Sequence, residues 1–385
     1  MRLESVQVLG NGEAAKVQWA DGLTARFHAV WLRDVALDPQ THSPDNGQRL
    51  ITVVEMPRDV SILQGSVRDD GGLSVTLAPE NREFNFPADW LRERIYDRKM
   101  AEEPGWLAPF VETWDNGLTA HMPTGSWPEV ESDLGALGDW LSMVRRYGFA
   151  VLRNVPTASG QVCRVAERFG YVRHTNYGRW FEVRSEINPS NLAFTNAGLQ
   201  PHTDNPYRDP VPTLQLLSCL ENSVQGGESI VVDGFRAVQR LRATSPRAFD
   251  LLSGYCARFE FDGQKNVLLR SKRPMIELAP DGELIGIRFN NRSAAPFVDI
   301  PYDDMQEFYM AYRRFAEIIE EPSMSVKFKL APGDLFIVDN TRVLHARTRF
   351  FGSGTRWLQG CYADKDGLLS TLAVTQKERP VGFAA

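Results

Sequence analysis

The feature that most constrains the fold is a series of short apolar runs in the second half of the sequence, each bounded by turn-forming residues. TLQLLSCL, ESIVVDG, LIGIRFN and DLFIVDN have the length and composition of β-strands. Helical patterns occur beside them at DLGALGDWLSMVRRYG, SGQVCRVAERFG and DDMQEFYMAYRRFAEIIE, but without the regular strand–helix alternation of a parallel sheet. The sequence therefore predicts a mainly β fold with flanking helices, in the form of a barrel or sandwich.

The first 100 residues have a different character. The runs VQVLG, AAKVQW, LTARFHAVWL and GLSVTL read as strands separated by Asn-Gly, Asp-Gly and Gly-Gly turns. FPADWLRERIYDRK reads as a helix, and a stretch rich in Pro, Gly and Trp follows it. We therefore expect a small β-rich domain at 1–100 and a larger domain at 101–385.

Composition argues against several classes of function. The formal net charge of −6 disfavours a nucleic-acid partner, which requires clustered positive charge. No run approaches the roughly 18 apolar residues that cross a bilayer, and the first residues lack the pattern of a secretory signal. The four cysteines lie far apart without CxxC spacing, which indicates reduced thiols. We expect a cytoplasmic protein with no membrane partner.

Two distant segments carry residues that bind metal ions. His202 and Asp204 lie two positions apart in QPHTDN, and alternate residues of a strand point to the same face. His345 follows an apolar run far downstream, where another strand can bring a second imidazole to the same ion. Two histidines and one carboxylate form the facial triad of non-haem Fe(II) oxygenases. Zinc, in a hydrolase with the same ligands, is the alternative.

Two further residues stand at defined distances from this set. Ser229 lies 25 positions after Asp204, and Arg356 lies 11 positions after His345. Together with WLRD, NLAFTNAGLQPHTD, VPTLQLLSCL, GGESIVVDGF, IRFNNR, PGDLFIVDNTRVLHAR and GCYAD, this spacing resembles the taurine-dioxygenase-like superfamily. The resemblance is to the branch that contains γ-butyrobetaine hydroxylase and trimethyllysine hydroxylase, and it covers nearly the whole chain. It implies a double-stranded β-helix (jelly-roll) catalytic core.

The resemblance also implies the cofactors. Fe(II) is expected on His202, Asp204 and His345, with 2-oxoglutarate and O2 as cosubstrates. Arg356 is expected to pair with the distal carboxylate of 2-oxoglutarate, since a planar guanidinium matches a planar carboxylate, and Ser229 is expected to add a hydroxyl. Relatives imply a homodimer.

A quaternary ammonium group is expected in the pocket, because such a cation has no N–H to donate and is attracted to aromatic faces. The side chains expected around the substrate at the family's positions are Tyr177, Phe181, Asn191, Phe194, Asn205 and Tyr362. Phe181 stands where a tryptophan is expected, and Asn205 stands where a tyrosine is expected. The region 173–200 joins the ring-bearing segment to the first metal ligand and is predicted to form a lid.

The substrate's other end is expected to be anionic. In GIRFNNR, strand alternation places Arg288, Asn290 and Arg292 on one face. Arg288 and Asn290, with Asn191, are the expected anion contacts, and a solvated strand edge is the alternative, more so for Arg292. The expected reaction is hydroxylation of a small trimethylammonium compound, γ-butyrobetaine giving carnitine.

Two alternatives to that reaction remain at this point. One is hydroxylation of 2-trimethylaminoethylphosphonate next to phosphorus. The other, of a different class, is a metal-binding sensor without catalysis.

Relatives also carry a cysteine cluster after WLRD that binds structural zinc, and this sequence has no cysteine there, so we expect packing alone to hold the N-terminal domain.

Overall fold

The computed structural model describes residues 1–97, 103–184, 197–264, 266–352 and 354–378. The chain packs into two compact units, Met1–Ala101 and Glu102–Ala385. The division lies one residue from the expected boundary. None of the described helices is long and apolar enough to cross a membrane.

The first unit consists of two antiparallel sheets, with strand orders β1-β2-β3 and β4-β5-β6. Its elements are Leu3–Leu9 (β1), Ala14–Trp19 (β2), Thr24–His28 (β3), Ala29–Asp34 (α1), Ser61–Val67 (β4), Leu73–Ala78 (β5), Arg82–Phe86 (β6) and Ala88–Arg92 (α2). Alternate residues of β5, Leu73, Val75 and Leu77, are fully buried in the core of this unit. The prediction of one continuous strand over LTARFHAVWL is wrong, because the chain turns into α1 at Ala29.

Packing and internal polar contacts hold this unit where relatives are expected to use zinc. Arg33 is 5% exposed, and its Nε lies 2.5 Å from a carboxylate oxygen of Glu80. Nδ1 of His42 lies 2.7 Å from the backbone oxygen of Ala36, and Nδ1 of His28 lies 3.0 Å from the hydroxyl of Tyr96. Both histidines therefore serve local hydrogen bonds.

The second unit contains two larger sheets and three two-stranded pairs. Its strands are Thr124–Ser126 (β7), Phe149–Arg153 (β8), Val172–Arg173 (β9), Phe181–Val183 (β10), Leu199–His202 (β11), Leu214–Asn222 (β12), Gln225–Gly226 (β13), Ser229–Asp233 (β14), Cys256–Gln264 (β15), Val267–Pro274 (β16), Ile276–Leu278 (β17), Leu284–Ile287 (β18), Ser325–Phe328 (β19), Leu335–Asp339 (β20), Val343–Arg347 (β21), Phe350–Phe351 (β22) and Arg356–Ala363 (β23). The larger sheet has the order β10-β23-β12-β20-β8-β7, with β9 also on β23, and the smaller has the order β11-β21-β14-β19. The strand pairs are the hairpins β15-β16 and β17-β18 and the pair β13-β22, whose two strands lie far apart in the sequence.

Helices cover the outer faces of both sheets. They are Trp127–Ser132 (α3), Leu134–Tyr147 (α4), Gln161–Ala166 (α5), Gly234–Thr244 (α6), Pro246–Gly254 (α7), Met305–Glu320 (α8) and Lys365–Glu378 (α9). Helix α4 begins where the carboxylate of Asp133 accepts from the backbone N–H of Ala136, and it ends at Gly148, whose φ of 76° suits glycine. Helices α4, α5 and α9 pack on the larger sheet, and α6, α7 and α8 pack on the smaller one.

Strand alternation sorts side chains between the helix-covered face and the space between the sheets. On β12, Leu214 and Leu216 pack against helices, whereas Gln215 and Leu217 point to the other face and line a pocket. Leu217 belongs to a cluster that also contains Val231 of the smaller sheet, so the two sheets share a core. The structure is thus mainly β with flanking helices, as predicted.

Candidate active site

Three potential metal ligands meet beside the shared core of the two sheets. His202 ends β11 and pairs across the smaller sheet with His345 of β21, and Asp204 follows just after the strand. Nε2 of His202 lies 3.3 Å from Oδ1 of Asp204, and Nε2 of His345 lies 3.8 Å from the same oxygen. One ligand atom from each residue lies within 4.8 Å of the other two, and the described residues contain no second His/Cys/Asp/Glu group of this kind.

Both imidazoles are prepared to bind a cation. Nδ1 of His202 lies 2.8 Å from the backbone oxygen of Gln200. Because a carbonyl oxygen only accepts, Nδ1 carries the proton, and Nε2 keeps the lone pair that a metal requires. Burial, followed by the charge of His202, lowers the pKa of His345 to about 3, so this ring is neutral at neutral pH.

The carboxylate of Asp204 is oriented by two donors on one oxygen. Nε2 of Gln215 donates to Oδ2 over 2.6 Å, and the hydroxyl of Tyr362 donates to the same oxygen over 2.7 Å. Oδ1 is the oxygen that faces the imidazoles. Burial alone would raise the pKa of the Asp204 carboxyl, but its polar neighbours His202, His345 and Tyr362 hold it below its usual range.

The backbone of Asp204 is also fixed, and the responsible residue was missed at the sequence level. Oδ1 of Asn340 accepts from the backbone N–H of Asp204 over 2.7 Å, and Nδ2 of Asn340 donates to the backbone oxygens of Asp204 and Pro212, each over 2.9 Å. Gln215 was missed as well. The signal for both was a polar side chain inside or directly after an apolar strand, at LQLL and at FIVDN.

The donor set fits a ferrous ion. Two imidazoles and a carboxylate with one free oxygen supply three ligands on one side of an ion, which leaves positions for exogenous ligands. Zinc accepts the same three ligands, so the triad by itself does not choose between the two metals.

A candidate anion site lies in the same pocket as the triad. The pocket has a volume of about 430 Å³, and Ser229 and Arg356 both line it. Arg356 is 7% exposed, and its Nε and Nη1 atoms are buried without a hydrogen-bond partner among the described residues. Gly227 makes room for it, since a Cβ there would lie 3.1 Å from Nε of Arg356. Desolvation lowers the Arg356 pKa to about 10, which still leaves it charged at neutral pH. A buried, unpaired guanidinium fits a carboxylate such as that of 2-oxoglutarate.

Aromatic rings form one wall of the pocket. Centroid distances are 5.1 Å between Tyr362 and Phe181, 6.4 Å between Phe181 and Tyr177, 6.0 Å between Tyr177 and Phe261, and 5.1 Å between Phe261 and Tyr207. The ring of Phe181 lies directly over a glycine of β23, where any Cβ would clash with it. We call these five rings the aromatic wall. Tyr207 and Phe261 were not predicted.

The asparagines expected around the substrate have different outcomes. Asn205 and Asn290 line the pocket. The hydroxyl of Tyr207 donates to Oδ1 of Asn205 over 2.6 Å, and Nδ2 of Asn290 donates to the backbone oxygen of Thr203 over 3.1 Å. Asn191 lies outside the described residues, as do Phe194 and the centre of the predicted lid, 185–196.

The structure does not bring Arg288, a predicted substrate contact, into the pocket. Its side chain does not line the pocket; Nε lies 2.5 Å from Glu277, and Nη1 donates to the backbone oxygens of Pro206 and Arg208. Strand β18 ends at Ile287, so the two-residue alternation assumed for GIRFNNR stops before Arg288. Arg288 instead ties the segment after the metal ligands to the β17-β18 hairpin.

Comparisons with known proteins agree with this geometry. Residues 111–362 match the family described as taurine catabolism dioxygenase TauD, TfdA family. A γ-butyrobetaine dioxygenase of Pseudomonas sp. (strain AK-1) is 36% identical over 362 residues, covering 94% of this chain and 93% of that protein. The human γ-butyrobetaine dioxygenase is 30% identical over 380 residues, covering 97% of each chain. The mitochondrial trimethyllysine dioxygenase of Rattus norvegicus is 30% identical over 355 residues, covering 91% of this chain and 82% of that protein.

These matches decide between the alternatives that the triad left open. A family match over residues 111–362 includes every ligand of the triad as well as Arg356. The zinc hydrolase and the non-catalytic sensor are therefore set aside. The chain belongs to the taurine catabolism dioxygenase TauD, TfdA family and is a non-haem Fe(II)- and 2-oxoglutarate-dependent dioxygenase.

Proposed function

We propose that this protein hydroxylates a C–H bond of a small trimethylammonium compound with an anionic tail, with γ-butyrobetaine as substrate and carnitine as product. The observation that carries the proposal is the aromatic wall, which lines the same pocket as the metal triad and Arg356. A cation without N–H groups is bound by ring faces rather than by acceptors. The names of the relatives in Pseudomonas sp. and human support the same substrate.

Each residue near the metal has a distinct task in this proposal. His202, Asp204 and His345 hold Fe(II), and Arg356 with Ser229 holds the distal carboxylate of 2-oxoglutarate. Iron and 2-oxoglutarate, when bound, supply the oxidising chemistry that places one oxygen atom of O2 on the substrate and the other in succinate, with release of CO2.

The aromatic wall decides which carbon reacts. Holding the ammonium group at one end and the anionic tail at the other leaves one methylene facing the metal, and positioning of this kind lowers the barrier without any protein acid or base. Tyr362 adds to this role, because its ring belongs to the wall while its hydroxyl holds Asp204.

Finer features of the assignment are proposals too. We propose that the two larger sheets form a double-stranded β-helix, and that Glu102–Ala385 carries the activity, since the pocket is built from this unit. We propose a cytoplasmic homodimer; the free cysteines Cys163, Cys219, Cys256 and Cys361 suit a reducing compartment. Light scattering coupled to gel filtration tests the dimer.

The phosphonate analogue is the second candidate substrate, and an additional arginine in the pocket favours it.

Turnover tests the proposed function directly. The protein is loaded anaerobically with Fe(II) and 2-oxoglutarate and then given O2 with γ-butyrobetaine, 2-trimethylaminoethylphosphonate or trimethyllysine, and succinate is measured. We expect trimethylammonium compounds with a short anionic tail to stimulate succinate formation, and carnitine to form from γ-butyrobetaine. Succinate formation that none of the three compounds stimulates contradicts the substrate class while leaving the oxygenase intact.

A further inference from the structure

Arg292 is a pocket residue whose charge has no ion-pair partner among the described residues. It lines the pocket together with the aromatic wall and the triad. Its backbone N–H donates to Oδ1 of Asn290 over 3.1 Å, which anchors the residue, but its guanidinium has no hydrogen-bond or ion-pair partner in the described part of the chain. The residue is exposed overall, and the atoms that screen part of its guanidinium lower the pKa of that group, against the opposing charge of Asp204.

The neighbouring arginines are already engaged or assigned. Arg288 is paired with Glu277, and Nη2 of Arg347 donates to the backbone oxygen of Ala197 over 2.7 Å. Arg356 is the partner proposed for 2-oxoglutarate. Among the described residues, Arg292 is therefore the pocket cation that remains for the substrate, and an unpaired guanidinium that lines a pocket is a suitable partner for an anion.

A second donor in the same pocket is also unsatisfied. Tyr207 gives its single hydroxyl proton to Oδ1 of Asn205, and the hydroxyl of Tyr177, 2.8 Å away, donates to Tyr207. This chain fixes the orientation of the Asn205 amide. Nδ2 of Asn205 is consequently a buried donor without a partner among the described residues, and an unmade buried hydrogen bond costs stability unless a ligand supplies the acceptor.

We propose that Arg292 and Nδ2 of Asn205 form the subsite for the substrate's anionic tail, and that Arg292 contributes more to the binding of a doubly charged phosphonate than to that of a carboxylate. The inference rests on the proposed trimethylammonium substrate and names its tail. A phosphonate offers three acceptor oxygens and up to two negative charges, so it can satisfy both a guanidinium fork and an amide donor at once. A carboxylate has two oxygens and one charge. The anion contact in this proposal is thus Arg292, which strand alternation placed on one face with Arg288 and Asn290, rather than Arg288, which was the expected contact.

Binding measurements separate the cation from the anion. The enzyme loaded anaerobically with Fe(II) and 2-oxoglutarate is titrated calorimetrically with choline, γ-butyrobetaine and 2-trimethylaminoethylphosphonate. Wild type is compared with Arg292→Gln and with Arg273→Gln, a matched control whose exposed side chain pairs with Asp209 and does not line the pocket. Choline carries the cation without an anionic tail.

We expect Arg292→Gln to weaken phosphonate binding by about 10- to 100-fold, the range of lost hydrogen bonds to charged groups. γ-Butyrobetaine binding should weaken less, by about three- to tenfold, because a carboxylate carries a single charge. Choline binding should change less than about twofold, because the lost group is anion-specific. Arg273→Gln should match wild type with all three ligands. An equal loss for all three ligands, or no loss for the phosphonate, overturns the subsite. Wild-type enzyme that binds none of the three overturns the proposed substrate class itself, and with it the inference.

Discussion

Replacing Gln215 with methionine tests whether the carboxylate of Asp204 is preorganised for the metal. Gln215 donates to Oδ2 of Asp204 over 2.6 Å, and only Tyr362 would remain on that oxygen after the exchange. Methionine has a similar length and keeps the packing of β12, so the main loss is one hydrogen bond to an ionised acceptor. Such a bond contributes about 1.5–3 kcal/mol, which corresponds to about 10- to 100-fold in affinity.

We therefore expect Gln215→Met to weaken Fe(II) binding by about 30-fold, in the range seen when partners of metal ligands are removed. Anaerobic equilibrium dialysis against Fe(II) measures it, and circular dichroism checks the fold. Gln359→Met is the matched control. Gln359 is also a buried glutamine of the larger sheet. Its side-chain amide, however, makes hydrogen bonds with Ser159, Gly160 and Glu182 on the opposite face of that sheet. The Gln359→Met exchange should lower the free energy of unfolding without changing the affinity for Fe(II). If Gln215→Met binds Fe(II) within about twofold of wild type, the reasoning about Asp204 is refuted.

Three further perturbations have defined outcomes. Asn340→Ala removes three hydrogen bonds from the segment that carries Asp204, so the free energy of unfolding in urea should fall by about 2–4 kcal/mol; an unchanged midpoint contradicts this. Phe261→Ala should weaken choline binding about three- to tenfold and leave Fe(II) affinity unchanged, and equal losses in both would point to unfolding instead. Arg356→Gln should raise the dissociation constant for 2-oxoglutarate at least about tenfold in anaerobic titrations, whereas affinity equal to wild type would remove Arg356 from the site.

Local sequence patterns were sufficient to predict which residues form the metal triad. His202 and Asp204 are close in the chain, and the apolar run before His345 marks it as a strand residue. Asp204 nevertheless lies past the end of β11, so strand alternation is not what aims its carboxylate. Asn340 and Gln215 do so, and their role depends on how β12 and β20 pair, which no local pattern reveals.

The substrate residues were harder to predict, because they depend on where strands end and hairpins fold. Alternation was extended to Arg288 although β18 stops at Ile287, and Arg288 was therefore expected to contact the substrate's anionic end. Phe261 reaches the pocket on the β15-β16 hairpin, far in sequence from the other rings. Its position follows from packing of that hairpin against Tyr207, and packing is invisible in a one-dimensional pattern.

Tyr362 links two binding events through one rigid side chain. Its ring takes part in the aromatic wall, 5.1 Å from Phe181, and its hydroxyl donates to the metal-ligand carboxylate of Asp204. Because the ring and the hydroxyl oxygen of a phenol form one rigid group, a cation that displaces the ring also displaces the hydroxyl. Coupling free energies are reciprocal, so the factor by which a bound ammonium changes iron affinity equals the factor by which iron changes ammonium affinity. In the proposed complex, the side chain that contacts the ammonium group is therefore the one that also holds a metal ligand in place.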